Sequence, residues 1–158
     1  MRIVIAGVSG SGKTTIGMLV ADRLGCEFAD ADGFHPPENI AKMSAGIPLD
    51  DSDREGWLEA LGEYMAGRES IVLACSALKK KYRDHLRGLA GPVRFCVLTA
   101  GRGLLEERLS TREHFMPASL LDSQLDTLEL GEDVVVIENA AAPEEVAERL
   151  IAGLPDKG

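Results

Sequence analysis

The sequence predicts an α/β fold in which a parallel sheet is covered by helices on both faces. Apolar runs recur at 2–7 (RIVIAG), 26–30 (CEFAD), 70–75 (SIVLAC), 93–98 (VRFCVL) and 133–138 (DVVVIE), with helical patterns between them. The runs are near-continuous in Val, Ile and Leu and lack polar alternation, as strands buried on both faces do. A glycine-rich loop follows the first run and opens a helix, so ligands belong at the carboxyl ends of the strands.

At 158 residues, with 45% hydrophobic and 27% charged side chains, the chain fits one domain, 1–158, around one core. No repeat, low-complexity tract or linker divides it, and only the terminal PDKG reads as a loose end. The formal net charge of −9 disfavours contact with nucleic acid or an acidic membrane surface. An anionic ligand therefore has to be held by local cations in a defined pocket. No stretch approaches the roughly 20 apolar residues of a membrane span, and MRIVIAG is too short for a signal segment. Cys26, Cys75 and Cys96 are odd in number, lack CxxC spacing and sit in apolar runs, which reads as core thiols in a reducing compartment. The expected setting is the cytoplasm.

The first strand ends in GVSGSGKT, Gly7 to Thr14, which satisfies G-x-x-x-x-G-K-[ST] in the strand-then-helix context that this phosphate loop requires. Glycines at 7, 10 and 12, with Ser9 and Ser11 between them, let successive amide N–H groups turn toward one point, and the helix N-terminus adds its dipole. Lys13 is expected to reach the β and γ phosphates, Thr14 to offer its hydroxyl to Mg²⁺, and Thr15 to add a phosphate contact. A chance glycine turn is the bland alternative. Switch GTPases would carry a guanine-reading NKxD run, which the sequence lacks, and the chain is too compact for a motor. What remains is mostly phosphoryl transfer to a small molecule.

The second strand ends at Asp30 and leads into ADADGFHPPENIAKM. Asp30 and Asp32 alternate in an extended chain and so point to one side. With the phosphate loop near that strand end, Asp32 is assigned to align the acceptor hydroxyl and take its proton, and Asp30 to organise metal-bound water. A loop carboxylate capping the helix that starts near Pro36 is the alternative for Asp32 and, more strongly, for Asp30. Residues 34–66 then insert two helices joined by IPLD where one crossover helix would suffice. Trp57 reads as the anchor of this insert, with Met43 and Met65 as core filler.

After the third strand, Leu78, Tyr82, Leu86 and Leu89 form a buried stripe in SALKKKYRDHLRGL, which puts Lys79, Arg83 and Arg87 on a separate basic face. Beyond the fourth strand, Arg108 and Arg112 share a helix face four residues apart. They stand at the start of a second interruption, 110–129, which carries Pro117 in a polar turn. Inserts at the ligand edge act as clamps or lids, and an arginine delivered on closure stabilises a migrating phosphoryl group. Surface pairing with Glu107 or Glu113 is the alternative. Adenine contacts are expected from the loop after the fifth strand, near Asn139 to Pro143.

Taken together, GVSGSGKT, DADGFHPPENIAKMSAGIPLDDSDREGWL, CSALKKKYRDHLR and HFMPASLLDSQLDTLE, in this order through most of the chain, resemble the bacterial gluconate kinases (gluconokinases) of the P-loop kinase superfamily. The resemblance implies a P-loop NTPase fold with a five-stranded parallel sheet, related to that of shikimate and adenylate kinases. It also implies phosphorylation of D-gluconate at its 6-hydroxyl with ATP and Mg²⁺, and a homodimer. It makes Arg112 the lid arginine, with Arg108 in support. A sugar acid needs a cation or two among hydrogen-bonding groups. His35, Lys42 and Arg54 in the insert, and Lys79 and Arg83 near the third strand end, are the candidates. A solvated basic face competes for Lys79 and Arg83 and more strongly for Arg87, and a helix-entry role for His35.

The chain departs from the family pattern in three places: DAD for DGD, Gly56 for a proline before Trp57, and one glycine missing between Glu113 and His114, which bears on lid register. Two other functions stay open, a kinase for shikimate or a nucleoside monophosphate and a nucleotide-binding regulator without transfer. The extended insert and CSALKK count against the first, and Lys13, Thr14, Asp32 and Arg112 together against the second.

Overall fold

The computed structural model describes residues 1–8, 10–110 and 120–154. Five strands, β1 (Arg2–Ala6), β2 (Glu27–Asp30), β3 (Ile71–Ala74), β4 (Arg94–Thr99) and β5 (Val134–Glu138), form one sheet in the order β2-β3-β1-β4-β5. Every neighbouring pair is parallel. Each of the five apolar runs became a strand, shifted by a residue or less at either end. From the central β1 the chain fills one side of the sheet with β3 and β2 and the other with β4 and β5. The loop after β1 therefore lies at the point where strand order reverses, where open α/β sheets take ligands.

Residues along each strand alternate between two cores. On one face Val4, Ala6, Leu73, Phe95 and Val97 pack against Trp57, Leu61 and Met65 of α3 (Asp51–Ala66) and Leu86 of α4 (Lys80–Ala90). On the other, Ile3, Ile5, Val72, Cys96 and Leu98 meet Ile16 and Val20 of α1 (Lys13–Leu24) and Val146 and Leu150 of α7 (Pro143–Gly153). Each fully buried aliphatic or aromatic side chain contributes about 1.5–3 kcal/mol toward offsetting the entropy of ordering the sheet. The edge strand β5 is less covered, with Val136 46% exposed, so burial on both faces holds for the central strands and not for this one.

The insert consists of α2 (Pro37–Ser44) and α3, and α3 starts on a reciprocal capping box in which Asp50 and Asp53 each accept the other's backbone N–H. α3 and α4 come close at Gly62, where an added Cβ would lie 2.6 Å from Cβ of Leu89. The remaining helices are α5 (Arg102–Ser110) and α6 (Leu120–Thr127). Leu121, Leu125 and Leu128 join Val8, Leu78, Leu105 and Leu109 in a third cluster. The 110–129 interruption is thus packed on the body of the protein from Leu121 onward. Among the described residues no helix is long and apolar enough to cross a membrane. Cys75 and Cys96 are buried thiols, each pushed up to about 12 by burial, as core residues would be.

Arg83 corrects the expected basic face. α4 begins at Lys80, and its buried side is Tyr82, Arg83, Leu86 and Ala90, with Leu89 39% exposed. The Arg83 side chain is 1% exposed. Its Nε donates to Asp133 Oδ2 at 2.8 Å, Nη1 to the carbonyls of Ala77 and Leu78 at 3.1 and 3.2 Å, and Nη2 to the Glu129 carbonyl at 2.8 Å. The guanidinium ties the loop after β3 to the segment entering β5, with all three nitrogens engaged, so it is a structural cation and not a substrate ligand. Arg87 turns to the same place and donates to Asp133 Oδ2 at 3.1 Å. These bonds, Arg83's first, hold the Asp133 carboxyl below the usual carboxylate range.

Arg83→Met should lower stability by about 3–5 kcal/mol in urea unfolding, because it leaves carbonyls and a shielded carboxylate without their donor. A second expectation concerns acid. The folded pKa of Asp133 lies below its unfolded value, so its contribution is present above about pH 4 and is lost as pH falls through the lower folded value. Asp133→Asn should flatten the acid limb of the stability profile, measured by urea midpoints between neutral pH and pH 3.

Candidate active site

β1 hands the chain directly to the phosphate loop, and α1 begins at Lys13. Gly12 precedes the helix at φ +92° with no side-chain cap, so the first amides of α1 are left for a ligand rather than for a neighbouring hydroxyl. Positive φ at Gly7 and Gly10 completes the turn. Lys13 Nζ donates to the carbonyls of Gly7 and Val8 at 3.0 and 3.1 Å, so its ammonium lies across the loop. An open cleft of about 800 Å³ is lined by Gly10, Gly12, Lys13, Thr14 and Thr15 from this loop, and by Asp30, Asp32, Arg108 and Asn139. Gly7 and Ser11 are buried and do not line it. The Ser11 hydroxyl has no hydrogen-bond partner, so what Ser11 supplies is its backbone. Ser9 lies outside the described residues.

β2 is not a neighbour of β1, since β3 separates them. The two aspartates are tied to the loop through the first turn of α1. Thr14 Oγ1 donates to Asp30 Oδ2 at 2.9 Å, and Asp30 Oδ1 accepts the Asp32 backbone N–H at 2.9 Å. That second bond caps a short 3-10 helix, Ala31–Phe34, and fixes Asp32 at the cleft wall. Asp30, and not Asp32, is therefore the capping carboxylate here. Among the described residues no group of three or more His, Cys, Asp or Glu side chains could hold a metal alone. The hydroxyl and carboxylate of Thr14 and Asp30 do fit Mg²⁺, which takes one or two protein oxygens and completes its shell with phosphates and water.

Two residues hold the loop from behind. Asn139, 6% exposed, donates from its side-chain Nδ2 to the Ser11 carbonyl at 2.7 Å, and its own N–H donates to the Thr99 carbonyl at 2.7 Å. A peptide's C=O and N–H point in opposite directions, so fixing the Ser11 carbonyl fixes the Gly12 N–H. An added Cβ on Gly12 would lie 2.3 Å from Asn139 Nδ2, which gives that glycine a second reason beyond its φ. Arg108 donates to the carbonyls of Gly10 and Asn139 at 2.9 and 2.8 Å, binding loop and strand end together. The sequence points to the stretch from Asn139 to Pro143, but as adenine contacts; Ala141 and Pro143 do line the cleft, whereas the Asn139 amide serves the loop.

His35, Lys42 and Arg54 of the insert, with Lys79 from the start of α4, form a separate polar cluster, and Arg83 is not part of it. His35 stacks on Trp57 with ring centroids 4.3 Å apart, and Trp57 is buried with its indole N–H on the Ala31 carbonyl at 2.8 Å. Burial first, and then the Arg54 charge, push the His35 imidazole down to about 4, so it is neutral at ordinary pH. Arg54 donates to the Leu49 carbonyl at 2.7 Å and to the Tyr82 hydroxyl at 3.1 Å. Lys42 pairs with Asp53 at 2.8 Å, and Lys79 with Asp51 at 3.2 Å. Asp51 also takes bonds from Lys81 and Tyr82, and these hold its carboxyl well below the usual range. The 3-10 helix joins this cluster to the cleft, since the His35 N–H donates to the Asp32 carbonyl at 3.4 Å. Arg112 and His114 lie outside the described residues.

This arrangement can cradle a polyphosphate at the loop and offer a carboxylate at its side. The shikimate kinase family matches residues 9–154. The gluconokinase of Gluconobacter oxydans (strain 621H) is 47% identical over 94% of this chain and 88% of its own length. The chain belongs to the gluconokinases within that kinase family. The thermosensitive gluconokinase of Escherichia coli (strain K12) is 46% identical over 80% of this chain and 70% of its own length. The crystal structure of a gluconokinase from Sinorhizobium meliloti 1021 superposes with a TM-score of 0.88 at 48% identity, covering 96% of this chain and 90% of that one. Shikimate kinase from Aquifex aeolicus superposes at 0.65 with 16% identity over 96% of this chain and 94% of its own, a likeness of fold alone. Membership in a P-loop kinase family makes the glycine loop a nucleotide site.

Asn139→Ala should weaken binding of a non-hydrolysable ATP analogue about tenfold by calorimetry, because the Ser11–Gly12 peptide loses its donor. The urea midpoint should move far less than it does in Arg83→Met, which separates loop positioning from general stability.

Proposed function

We propose that this chain is a gluconokinase that transfers the γ-phosphoryl group of ATP to the 6-hydroxyl of D-gluconate, giving 6-phospho-D-gluconate and ADP. The observation that carries the reading is the position of Asp32, on the wall of the phosphate-loop cleft and beside the Thr14–Asp30 pair. Identity above 40% to gluconokinases over most of the chain supports the choice of acceptor.

In this reading the loop amides of Gly10 to Thr14, with Thr15, hold the phosphates, and Lys13 swings from the loop carbonyls to the β and γ phosphates. Asp32 orients the 6-hydroxyl in line with the γ phosphorus and accepts its proton as the new O–P bond forms and the bond to the β-phosphate oxygen breaks. Mg²⁺, held through Thr14 and water on Asp30, would neutralise charge on the β and γ oxygens. Arg112 from the lid segment stabilises the migrating group, while Arg108 keeps the loop in place from the base of that segment and borders the nucleotide. The carboxylate and hydroxyls of gluconate fall to His35, Arg54, Lys79 and Lys42, with Lys42 and Lys79 exchanging Asp53 and Asp51 for the ligand. The same reading has the enzyme acting as a cytoplasmic homodimer.

Coupled ADP release should depend on gluconate and not on shikimate or AMP; no acceptor-dependent turnover would make the chain a regulator. Asp32→Asn should lower turnover by at least about 100-fold with the ATP Kd nearly unchanged, and near-normal turnover would remove Asp32 from its role. Lys79→Met should raise the gluconate KM about tenfold and leave the ATP KM within about twofold.

A further inference from the structure

The His35 ring is held by groups that decide which of its nitrogens carries hydrogen. Asn39 is 2% exposed, and its side-chain Nδ2 has two partners, the Asp53 backbone carbonyl at 2.9 Å and His35 Nδ1 at 3.1 Å. A backbone carbonyl only accepts, so the atom facing it is the amide NH₂ and the Asn39 orientation is fixed. The second hydrogen of that NH₂ then points at His35 Nδ1, which has to accept it. The ring's hydrogen is left on Nε2.

Nε2 has no hydrogen-bond partner among the described residues, and it is not among their fully covered side-chain atoms that lack one, of which Ser11 Oγ is the sole case. The Trp57 face fixes the ring plane. We propose that Asn39 is a positioning residue that locks His35 as a neutral Nε2–H donor, aimed at an oxygen of the polyhydroxy acid substrate. The inference rests on the gluconokinase reading for the identity of that oxygen's owner.

The charged groups around the ring agree with a neutral donor. Arg54 of α3 opposes a second positive charge, Lys42 of α2 is matched by Asp53 of α3, and Asp32 meets His35 through its backbone carbonyl. A neutral donor suits a hydroxyl or carboxylate oxygen without adding another cation to a cluster that already holds Arg54, Lys42 and Lys79. It also leaves the insert indifferent to pH in the range where an ordinary histidine titrates.

Nitrogen-15 NMR of the imidazoles tests the first half without substrate, with His35→Phe identifying the resonance. The expected spectrum shows Nε2 protonated, Nδ1 unprotonated and no titration from about pH 5.5 to 8. An Nδ1–H tautomer, or a midpoint near the ordinary histidine value, overturns the proposal. Asn39→Asp should bring the ring into that titration range and make kcat/KM for gluconate pH-dependent. For the second half, His35→Phe keeps the stack but loses the donor, and should raise the gluconate KM about tenfold with the ATP KM within about twofold. An unchanged gluconate KM overturns it. If the wild type releases no ADP with gluconate, the substrate reading fails, and the NMR result still decides the tautomer.

Discussion

The peptide between Ser11 and Gly12 is the constraint on which the site depends. Its carbonyl is pinned by the Asn139 amide at 2.7 Å, which sends the Gly12 N–H the other way, toward the end of α1 where a phosphate is received. Only glycine meets both the positive φ and the close approach of Asn139. Arg108 repeats the device one residue earlier, at the Gly10 carbonyl. The loop's donors are therefore oriented by the last strand and by α5 before any ligand arrives, which is the preorganisation that electrostatic catalysis requires.

An acidic chain that binds anions needs its few cations placed with care, and the structure sorts them into two kinds. Arg83 and Arg108 are spent on carbonyls and on Asp133, where they fix backbone geometry. Lys42 and Lys79 sit in partly exposed pairs with aspartates. Exposed pairs of this kind are worth little in stability, so a better-placed carboxylate can take the cation at small cost. Removing an arginine of the first kind leaves buried acceptors unmatched, which is a different order of penalty.

Much of this was legible in the sequence. The five strands follow from unbroken runs of branched aliphatics, the loop from its glycine spacing, and the two helices of the insert from a stretch longer than one crossover helix needs. Trp57, Met43 and Met65 are buried as local pattern suggests. Arg83 was not legible, because a helical stripe is read from apolar residues and an arginine between two of them is placed outward by default. Its burial is made possible by acceptors 46 to 50 residues away at Glu129 and Asp133. The Asn139 contact spans 128 residues, and no local spacing encodes it. Strand order is hidden in the same way: adjacent runs in sequence suggest β2 beside β1, whereas α1 crosses to the far side of β3.

The 3-10 helix at 31–34 explains why the two halves of the site need not be built independently. Asp30 accepts the Thr14 hydroxyl with one oxygen and the Asp32 N–H with the other, so the position of Asp32 is referenced to the first turn of α1. The next residues carry that reference outward. The Asp32 carbonyl takes the His35 N–H, the Ala31 carbonyl takes the Trp57 indole, and the indole carries the His35 ring. The first turn of α1 and the insert are in this way linked by a continuous series of contacts through residues 30–35. In phosphoryl transfer the donor and acceptor oxygens must stay in line through the reaction, and a short turn bonded both to the first turn of α1 and to the insert suits that demand.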